Sequence, residues 1–190
     1  MFDPQHFYSL DEYWHIAANL PDQKYEYVDG DIRMMTGGSP AHAQIAARIA
    51  GLLDRALYAT SCNVYGSDVA VEFSQKRIYY PDVSISCDLE DRKRKKSIEA
   101  PAVIVEVHSP STEKIDRGEK LLAYQQHPTV QEIVFVDSRK HFVEHHHRSG
   151  ISKWEHFLYA DEDDVVELTS IDTTLLVRDI YHKVYLELED

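Results

Sequence analysis

The chain has 190 residues, of which 43% are hydrophobic and 28% are charged. This balance is typical of a folded globular protein, and we treat residues 1–190 as one domain. The formal net charge of −13 argues against a protein that coats nucleic acid, because such proteins are normally basic. It remains compatible with a phosphate contact made through a metal ion, since the ion supplies the missing positive charge.

Two cysteines, Cys62 and Cys87, are too few for a disulfide scaffold or a four-thiolate zinc site. We expect them to be reduced thiols. The first ten residues lack the basic and apolar segments of a signal peptide, and the longest apolar run, residues 100–107, is too short to span a bilayer. These features predict a cytoplasmic protein with no membrane contact.

Local signals in the first half of the chain predict two helices, a hairpin and two further strands. A Ser9–Glu12 capping box begins the first helix, and Asp29-Gly30 is a typical two-residue hairpin turn. Ser39 and Pro40 suit the start of a long amphipathic helix. The predicted bounds are, in chain order, helix 10–19 ended by Pro21, hairpin strands 25–28 and 31–35, helix 41–58, and strands 64–73 and 78–87.

The second half begins with a charged loop, residues 88–99, and the most apolar segment of the chain, residues 102–107. A continuous apolar run of this length is typical of a central strand buried on both faces. The remaining predictions are a helix that follows Ser109-Pro110-Ser111 and ends near Gln126, strands 132–136, 141–147, 152–159 and 165–168, and a short final helix 175–181. This order predicts an α/β fold with a mixed central sheet, flanking helices and additional antiparallel hairpins.

Glu106 is a carboxylate within the most apolar segment. A buried carboxylate without a partner costs several kcal/mol, so it must be protonated, paired with a base or bound to a cation. Downstream, Asp116, Lys120 and Tyr124 are spaced four residues apart and therefore share one helix face. An ordinary ion pair between Asp116 and Lys120 explains that spacing equally well, and the residues alone leave these alternatives open.

Several short motifs follow one another in order along the chain. They are Tyr25-Glu26-Tyr27-Val28-Asp29-Gly30, His42 near the long helix, Pro81-Asp82-Val83-Ser84, Glu106-Val107-His108-Ser109-Pro110-Ser111-Thr112, the series Asp116, Lys120 and Tyr124, and the strand containing Asp137. Together they resemble the Uma-type family of restriction endonucleases, within the PD-(D/E)XK nuclease superfamily. The resemblance covers nearly the whole chain and implies a restriction-endonuclease-like core, with a mixed four-stranded sheet between helices.

The resemblance also implies a metal site. Asp82 corresponds to the aspartate of the PD element, and Glu106 to the acid of the second half-motif. The backbone carbonyl of Val107 would be a further metal ligand, and Glu26 resembles an upstream acid that completes or supports the site. Such oxygen ligands suit Mg²⁺ or Mn²⁺.

One position departs from the superfamily pattern. A lysine is expected two residues after Glu106, where this sequence has His108. Lys120 resembles a displaced lysine that reaches the site from the following helix and assists the attacking water. The departure leaves open whether His108 takes part or is structural. The other accessory candidates are His42, Asp116 and Tyr124.

These residues predict a Mg²⁺-dependent endonuclease that hydrolyses DNA phosphodiester bonds. The alternative is a nuclease fold that binds DNA or has a regulatory role and cuts weakly or not at all. The acidic net charge and His108 favour the alternative, whereas the set of Asp82, Glu106 and Lys120 favours the enzyme. Cleavage of both DNA strands needs two sites, so we expect a homodimer.

Two further clusters have less specific meanings. The basic run Arg92-Lys93-Arg94-Lys95-Lys96 is either a contact for the DNA backbone or a solvated loop. His145-His146-His147, with His141 nearby, suggests transition-metal binding. Neighbouring side chains on a strand alternate between faces, so three consecutive histidines cannot hold one ion, and we predict no metal site there.

Overall fold

The computed structural model describes residues 6–20, 22–35, 37–109 and 113–186. The helices are α1 Leu10–Asn19, α2 Pro40–Leu57, α3 Glu113–Ile115, α4 Leu121–Gln126 and α5 Val177–Ile180, with a π-helical turn Asp116–Lys120 between α3 and α4 and 3-10 turns Asp91–Lys93 and Thr169–Ile171. The strands are β1 Tyr25–Val28, β2 Asp31–Met34, β3 Asn63–Gly66, β4 Ala70–Ser74, β5 Arg77–Tyr79, β6 Val83–Ser86, β7 Ser97–Ile98, β8 Pro101–His108, β9 Glu132–Asp137, β10 Val143–Gly150, β11 Lys153–Tyr159, β12 Val165–Leu168 and β13 Thr173–Leu176.

The strands form two mixed sheets and a separate hairpin. The main sheet has six strands in the order β11-β10-β9-β8-β6-β3, and the second has five in the order β2-β1-β5-β4-β7. In the main sheet β8 and β9 run parallel, joined through α3, the π turn and α4, while its other pairs are antiparallel. The predicted fold class is confirmed, although the main sheet has six strands rather than the four that the resemblance implies.

The predicted caps and turns at the N-terminal end are confirmed. The Ser9 amide donates to the Glu12 carboxylate at 2.7 Å, while the Glu12 amide donates to the Ser9 hydroxyl at 3.3 Å. Asp29 and Gly30 have φ of 51° and 94°, the left-handed values that a tight two-residue hairpin turn requires. At the start of α2 the His42 amide donates to the Ser39 hydroxyl at 3.2 Å.

Apolar side chains on both faces of the main sheet hold the layers together. One face packs against α2, α5 and the β12–β13 hairpin, where Ile45, Ile49 and Leu53 of α2 are fully buried. The opposite face packs against α4 and the second sheet. Because β8 is covered on both sides, its apolar run is buried, as predicted.

Some of the predicted strands and the predicted final helix have the wrong bounds. Strand 64–73 is broken after Gly66 and strand 78–87 is interrupted at Pro81-Asp82, so each yields two shorter pieces. Residues 175 and 176 of the predicted final helix 175–181 belong instead to β13 and pair with β12, leaving a single helical turn, Val177–Ile180. The predicted helix stop at Pro21 and the residues Pro110, Ser111 and Thr112 lie outside the described residues.

The prediction of two reduced thiols is wrong in this structure. Cys62 and Cys87 form a disulfide with a Cα–Cα distance of 3.9 Å. The register of β3 and β6 pairs Asn63 with Ser86, so the two cysteines face each other one step beyond the paired residues. The two cysteines are 25 residues apart in the sequence, and only the pairing of the strands brings them together, so the sequence alone does not predict the bond.

Among the described residues, no helix is both long and apolar enough to cross a membrane.

Candidate active site

A cleft of about 630 Å³ opens where β8 ends, beside the first turn of α2. The predicted site residues that line it are His42, Asp82, Glu106, Val107, Asp116 and Lys120. They come from α2, the residue before β6, the end of β8 and the π turn. The cleft therefore brings together residues that are up to 78 positions apart in the chain, counted from His42 to Lys120.

Lys120 is the centre of the acidic cluster. Its Nζ lies 2.9 Å from Glu26 Oε1, 3.2 Å from Glu106 Oε1 and 3.5 Å from Asp116 Oδ1. The Tyr124 hydroxyl donates to Glu106 Oε1 at 2.5 Å. The geometry matches the shared helix face predicted from the four-residue spacing, and all of these side chains are buried.

Asp82 is held by a different set of contacts. The Val107 amide donates to its Oδ2 at 2.7 Å, and His42 Nε2 lies 3.2 Å from the same oxygen. Asp82 directly precedes β6, whose Val83 pairs with Val105 of β8, so the sheet register brings Asp82 to the level of Glu106.

Burial and charge shift the ionisation of these groups. Burial raises the pKa of Glu106 to about 8. The ammonium of Lys120 acts in the opposite direction, while the negative charges of Asp116 and Asp82 raise the pKa further. Burial disfavours the charged form of Lys120, but the surrounding carboxylates outweigh it and hold the Lys120 pKa well above its ordinary value. The hydrogen bond to Asp82 raises the pKa of His42.

His108 does not replace the missing lysine as a cation. Its side chain is buried and stacks on Phe135, with 4.5 Å between ring centroids. Burial and the charge of Arg117 lower its pKa to about 4, so it is neutral near pH 7. Its Nε2 lies 3.8 Å from Asp116 Oδ2, too far for a hydrogen bond. These contacts favour a packing role for His108.

Glu119 and Tyr79 help to hold the π turn of the site in place, although neither residue is among those predicted from the sequence. Arg33 of β2 donates two hydrogen bonds to Glu119, at 2.9 and 3.1 Å, and the Tyr79 hydroxyl donates to it at 3.0 Å. The ammonium of Lys120 lies 5.5 Å from the centre of the Tyr79 ring. These contacts tie the π turn to the second sheet. The one sequence feature that could have pointed to Glu119 is its position directly before Lys120, and no such feature points to Tyr79.

The basic run lies away from the cleft. It precedes β8, whereas Glu106 lies near the end of that strand, about 16 Å further along at the usual rise per residue. Arg94 pairs with Asp91 and Glu99, and Lys93 pairs with Glu90 at 2.7 Å. Among the described residues that line the cleft, none belongs to the run Arg92–Lys96. Asp137 also stays outside the lining and pairs with Arg139.

The consecutive histidines alternate between the faces of β10, as predicted, but each face supplies further partners. His145 and His147 lie near Glu132 of β9. His146 lies near Glu144 of its own strand and near His156 of β11. Spacing along one strand does not predict these neighbours, because strand pairing creates both groups.

Comparison with known proteins identifies the family. The sequence pattern of Uma2, described as "putative restriction endonuclease", matches residues 10–176. The chain belongs to the Uma2 family. The uncharacterized Synechocystis protein slr1290 is 36% identical over 160 residues, which are 84% of each chain. The uncharacterized protein sll1609 of the same organism is 26% identical over 136 residues, 70% of this chain and 76% of its own.

A solved structure confirms the fold of this Uma2 member. The crystal structure of a "putative nuclease belonging to DUF820" from Anabaena variabilis superposes with a TM-score of 0.72 at 18% identity. The match covers 91% of this chain and 97% of the other. The superposition establishes the fold, and the family match supports a restriction-endonuclease-like protein.

Proposed function

We propose that this Uma2 protein is a metal-dependent endonuclease that hydrolyses DNA phosphodiester bonds. The observation that carries the proposal is an excess of acid in one largely buried cleft. Three carboxylates, those of Glu26, Glu106 and Asp116, contact the Lys120 ammonium, and a fourth, that of Asp82, lines the same cleft beside His42. Since burying uncompensated negative charge is costly, such a cleft favours a cation or a bound proton.

The donor set fits Mg²⁺ or Mn²⁺, which prefer carboxylate and carbonyl oxygens. Asp82 and Glu106 would hold the ion, with the backbone carbonyl of Val107 completing the site and Glu26 completing or supporting it from its position on Lys120. When bound, the ion supplies positive charge to the phosphoryl oxygens and makes the attacking water more acidic.

The protein's own side chains position the reacting groups. Lys120, held by three carboxylates, orients the attacking water and offsets the negative charge that develops on the phosphate. The Tyr124 hydroxyl fixes the orientation of Glu106, and His42 does the same for Asp82. Held in this way, the two acids need little reorganisation during the reaction.

Cleavage of supercoiled plasmid with Mg²⁺ or Mn²⁺ tests the proposal. We expect D82A and K120A to lower the cleavage rate by at least about 100-fold, because each removes charge that acts in the transition state. Matched controls are K114A, an exposed lysine of α3, and E167A, an exposed acid of β12. Both controls are expected to cut like the wild type. Cleavage that persists in D82A and K120A would mean that the active site lies elsewhere.

The second candidate function is a nuclease fold that binds DNA or regulates and cuts little. The neutral, packed His108 at the expected lysine position favours it. DNA binding by the wild type without metal-dependent cleavage of any DNA tested would support this candidate over the enzyme.

We further propose a cytoplasmic homodimer. Cutting both strands needs two sites, and twofold assemblies are the commonest oligomers. Light scattering coupled to size exclusion should give twice the mass of the chain. The location follows from the DNA substrate, although the Cys62–Cys87 disulfide is unusual for a cytosolic protein. Cell fractionation that recovers the protein outside the cytoplasm would contradict the proposed location.

A further inference from the structure

A second cluster of potential metal ligands lies on β10 and β11, the outer strands of the main sheet. Glu144 and His146 are two residues apart on β10 and therefore share a face. His156 of β11 pairs directly with His146, so its side chain lies on that face too. We call these three residues the Glu144 cluster. Among the described residues that line the cleft of Lys120, none belongs to it.

The donor atoms of the Glu144 cluster converge. His146 Nε2 lies 2.8 Å and His156 Nε2 lies 3.1 Å from the same oxygen, Glu144 Oε1. The two imidazole rings are stacked with 4.6 Å between centroids and 15° between planes, so the exposed His156 ring has to turn before both Nε2 atoms can point at one ion. All three donor atoms lie within 4.8 Å of one another.

A neighbouring group on the opposite face, Glu132, His145 and His147, also has its donor atoms within 4.8 Å of one another, but it satisfies its acid differently. There the two oxygens of Glu132 have separate partners. Oε2 lies 2.9 Å from His145 Nε2, and Oε1 accepts the Ser170 amide at 2.7 Å. His147 stays 3.8 Å from Glu132 Oε1. In this group backbone and side chain satisfy the acid, whereas in the Glu144 cluster two imidazoles meet at one oxygen.

The spacing suits a tetrahedral ion. Zinc bonds of about 2.0–2.1 Å place tetrahedral ligands about 3.3 Å apart, so the measured separations need to open by roughly 0.2–0.5 Å. Two imidazoles and one carboxylate also form a ligand set of zinc sites that keep an open position. The other oxygen of Glu144 contacts Arg117, which would orient the carboxylate from outside the first ligand shell.

We propose that Glu144, His146 and His156 form a binding site for a divalent transition metal of the zinc class. The site is independent of the proposed nuclease cleft. His156 is 46% exposed, which leaves an approach from solvent and room for a water ligand. His146 and Glu144 are buried and provide the fixed side of the site.

The site would join the outermost strand to the sheet. β11 lies at the end of the main sheet, pairs with β10, and has mostly exposed side chains. Little apolar burial therefore holds it in place. An ion that takes ligands from β10 and β11 would cross-link the two strands and stabilise the edge of the sheet.

Zinc titration of the full-length protein without a polyhistidine tag tests the inference. Calorimetry is performed in excess Mg²⁺, which occupies oxygen-ligand sites. We expect a Zn²⁺ site that H156Q weakens at least about tenfold. The matched control H147Q changes a histidine on the opposite face of the same strand and should bind like the wild type. Nitrogen NMR of the imidazoles should show Zn²⁺-dependent shifts at Nε2 of His146 and His156.

Several results would overturn the inference. They are a wild-type protein that binds no Zn²⁺ under these conditions, binding that H156Q leaves unchanged, and binding that H147Q abolishes. Because His156 is half-exposed, H156Q should fold normally, and circular dichroism checks this. Repeating the titration with D82A separates the two sites, since zinc binding is expected to survive there even if the nuclease proposal fails.

Discussion

At the scale of single residues, the candidate site consists of charged side chains that are buried away from water. Glu106 lies in the apolar strand β8 and is stabilised by the Lys120 ammonium and the Tyr124 hydroxyl. These contacts do not fully offset burial, because the Glu106 pKa is still raised to about 8. Without metal, Glu106 therefore keeps its proton to a higher pH than a carboxylic acid in water does.

This ionisation predicts how metal binding depends on pH. An ion held by Glu106 must displace its proton, so affinity should rise as pH increases through about 8 and the carboxylate ionises. We expect Mn²⁺ to bind more tightly at pH 9 than at pH 7 and to release a proton at pH 7, measured by calorimetry in buffers of different ionisation enthalpy. Equal affinity at the two pH values would contradict the prediction.

At the scale of elements, the π turn Asp116–Lys120 sets the geometry of the cleft. A π turn contains an extra residue compared with an α-helical turn. Both Asp116 and Lys120 are buried within this turn, while Tyr124 follows from α4. Since α4 is anchored in the core by Ala123 and Tyr124, the turn decides which side chains face Glu106.

Removing the extra residue should disrupt the site without removing any charged group. Deletion of Gly118 removes the extra residue and places Asp116 three rather than four residues before Lys120, which shifts Asp116 around and along the helix relative to Glu106. We expect plasmid cleavage to fall at least about tenfold while circular dichroism stays native-like. In the control G118A, a Cβ meets no heavy atom within 4 Å, so cleavage should be retained. Wild-type cleavage by the deletion variant would show that the π turn is dispensable.

The basic run is also an element with a testable role. Arg94 and Lys93 are paired with acids, whereas Lys95 is exposed and Lys96 lies 5.6 Å from the centre of the Trp14 ring. If the run contacts the DNA backbone, K95Q/K96Q should weaken DNA binding equally for all sequences and reduce the salt slope by about 1 per contact. K76Q/K153Q removes two exposed lysines elsewhere and should not. Equal effects in both double variants would indicate a general charge effect.

At the scale of the whole molecule, the cleft depends on how the two sheets are held together. Glu26 belongs to the second sheet, while Glu106 belongs to the main sheet, and Lys120 pairs with both. The disulfide joins β3, the outer strand of the main sheet, to the end of β6. Asp82 lies at the opposite end of β6, so the same strand connects the disulfide to the site.

Loss of the disulfide should lower global stability. For a separation of 25 residues, the cross-link restricts the unfolded chain by about 3.5 kcal/mol. We expect C62S/C87S to lose that much free energy of unfolding in urea, and a reducing agent to destabilise the wild type but not the variant. Unchanged stability of the variant would mean that the bond contributes little in solution.

The sequence by itself determined those features that depend only on residues close together in the chain. The Ser9 cap, the Asp29-Gly30 turn and the apolar strand around Glu106 follow from backbone and side-chain preferences that act over a few residues. The resemblance to nucleases likewise rested on short motifs in order. These signals were sufficient for the fold class and for the family.

Only the tertiary structure decided which distant groups meet. The Cys62–Cys87 bond and the His146–His156 pair arise from strand register, and a register cannot be deduced from either strand alone. The packing of one sheet against the other brought Glu26 to Lys120. Burial then raised the pKa of Glu106, because the charge on an acid depends on everything packed around it rather than on its place in the sequence.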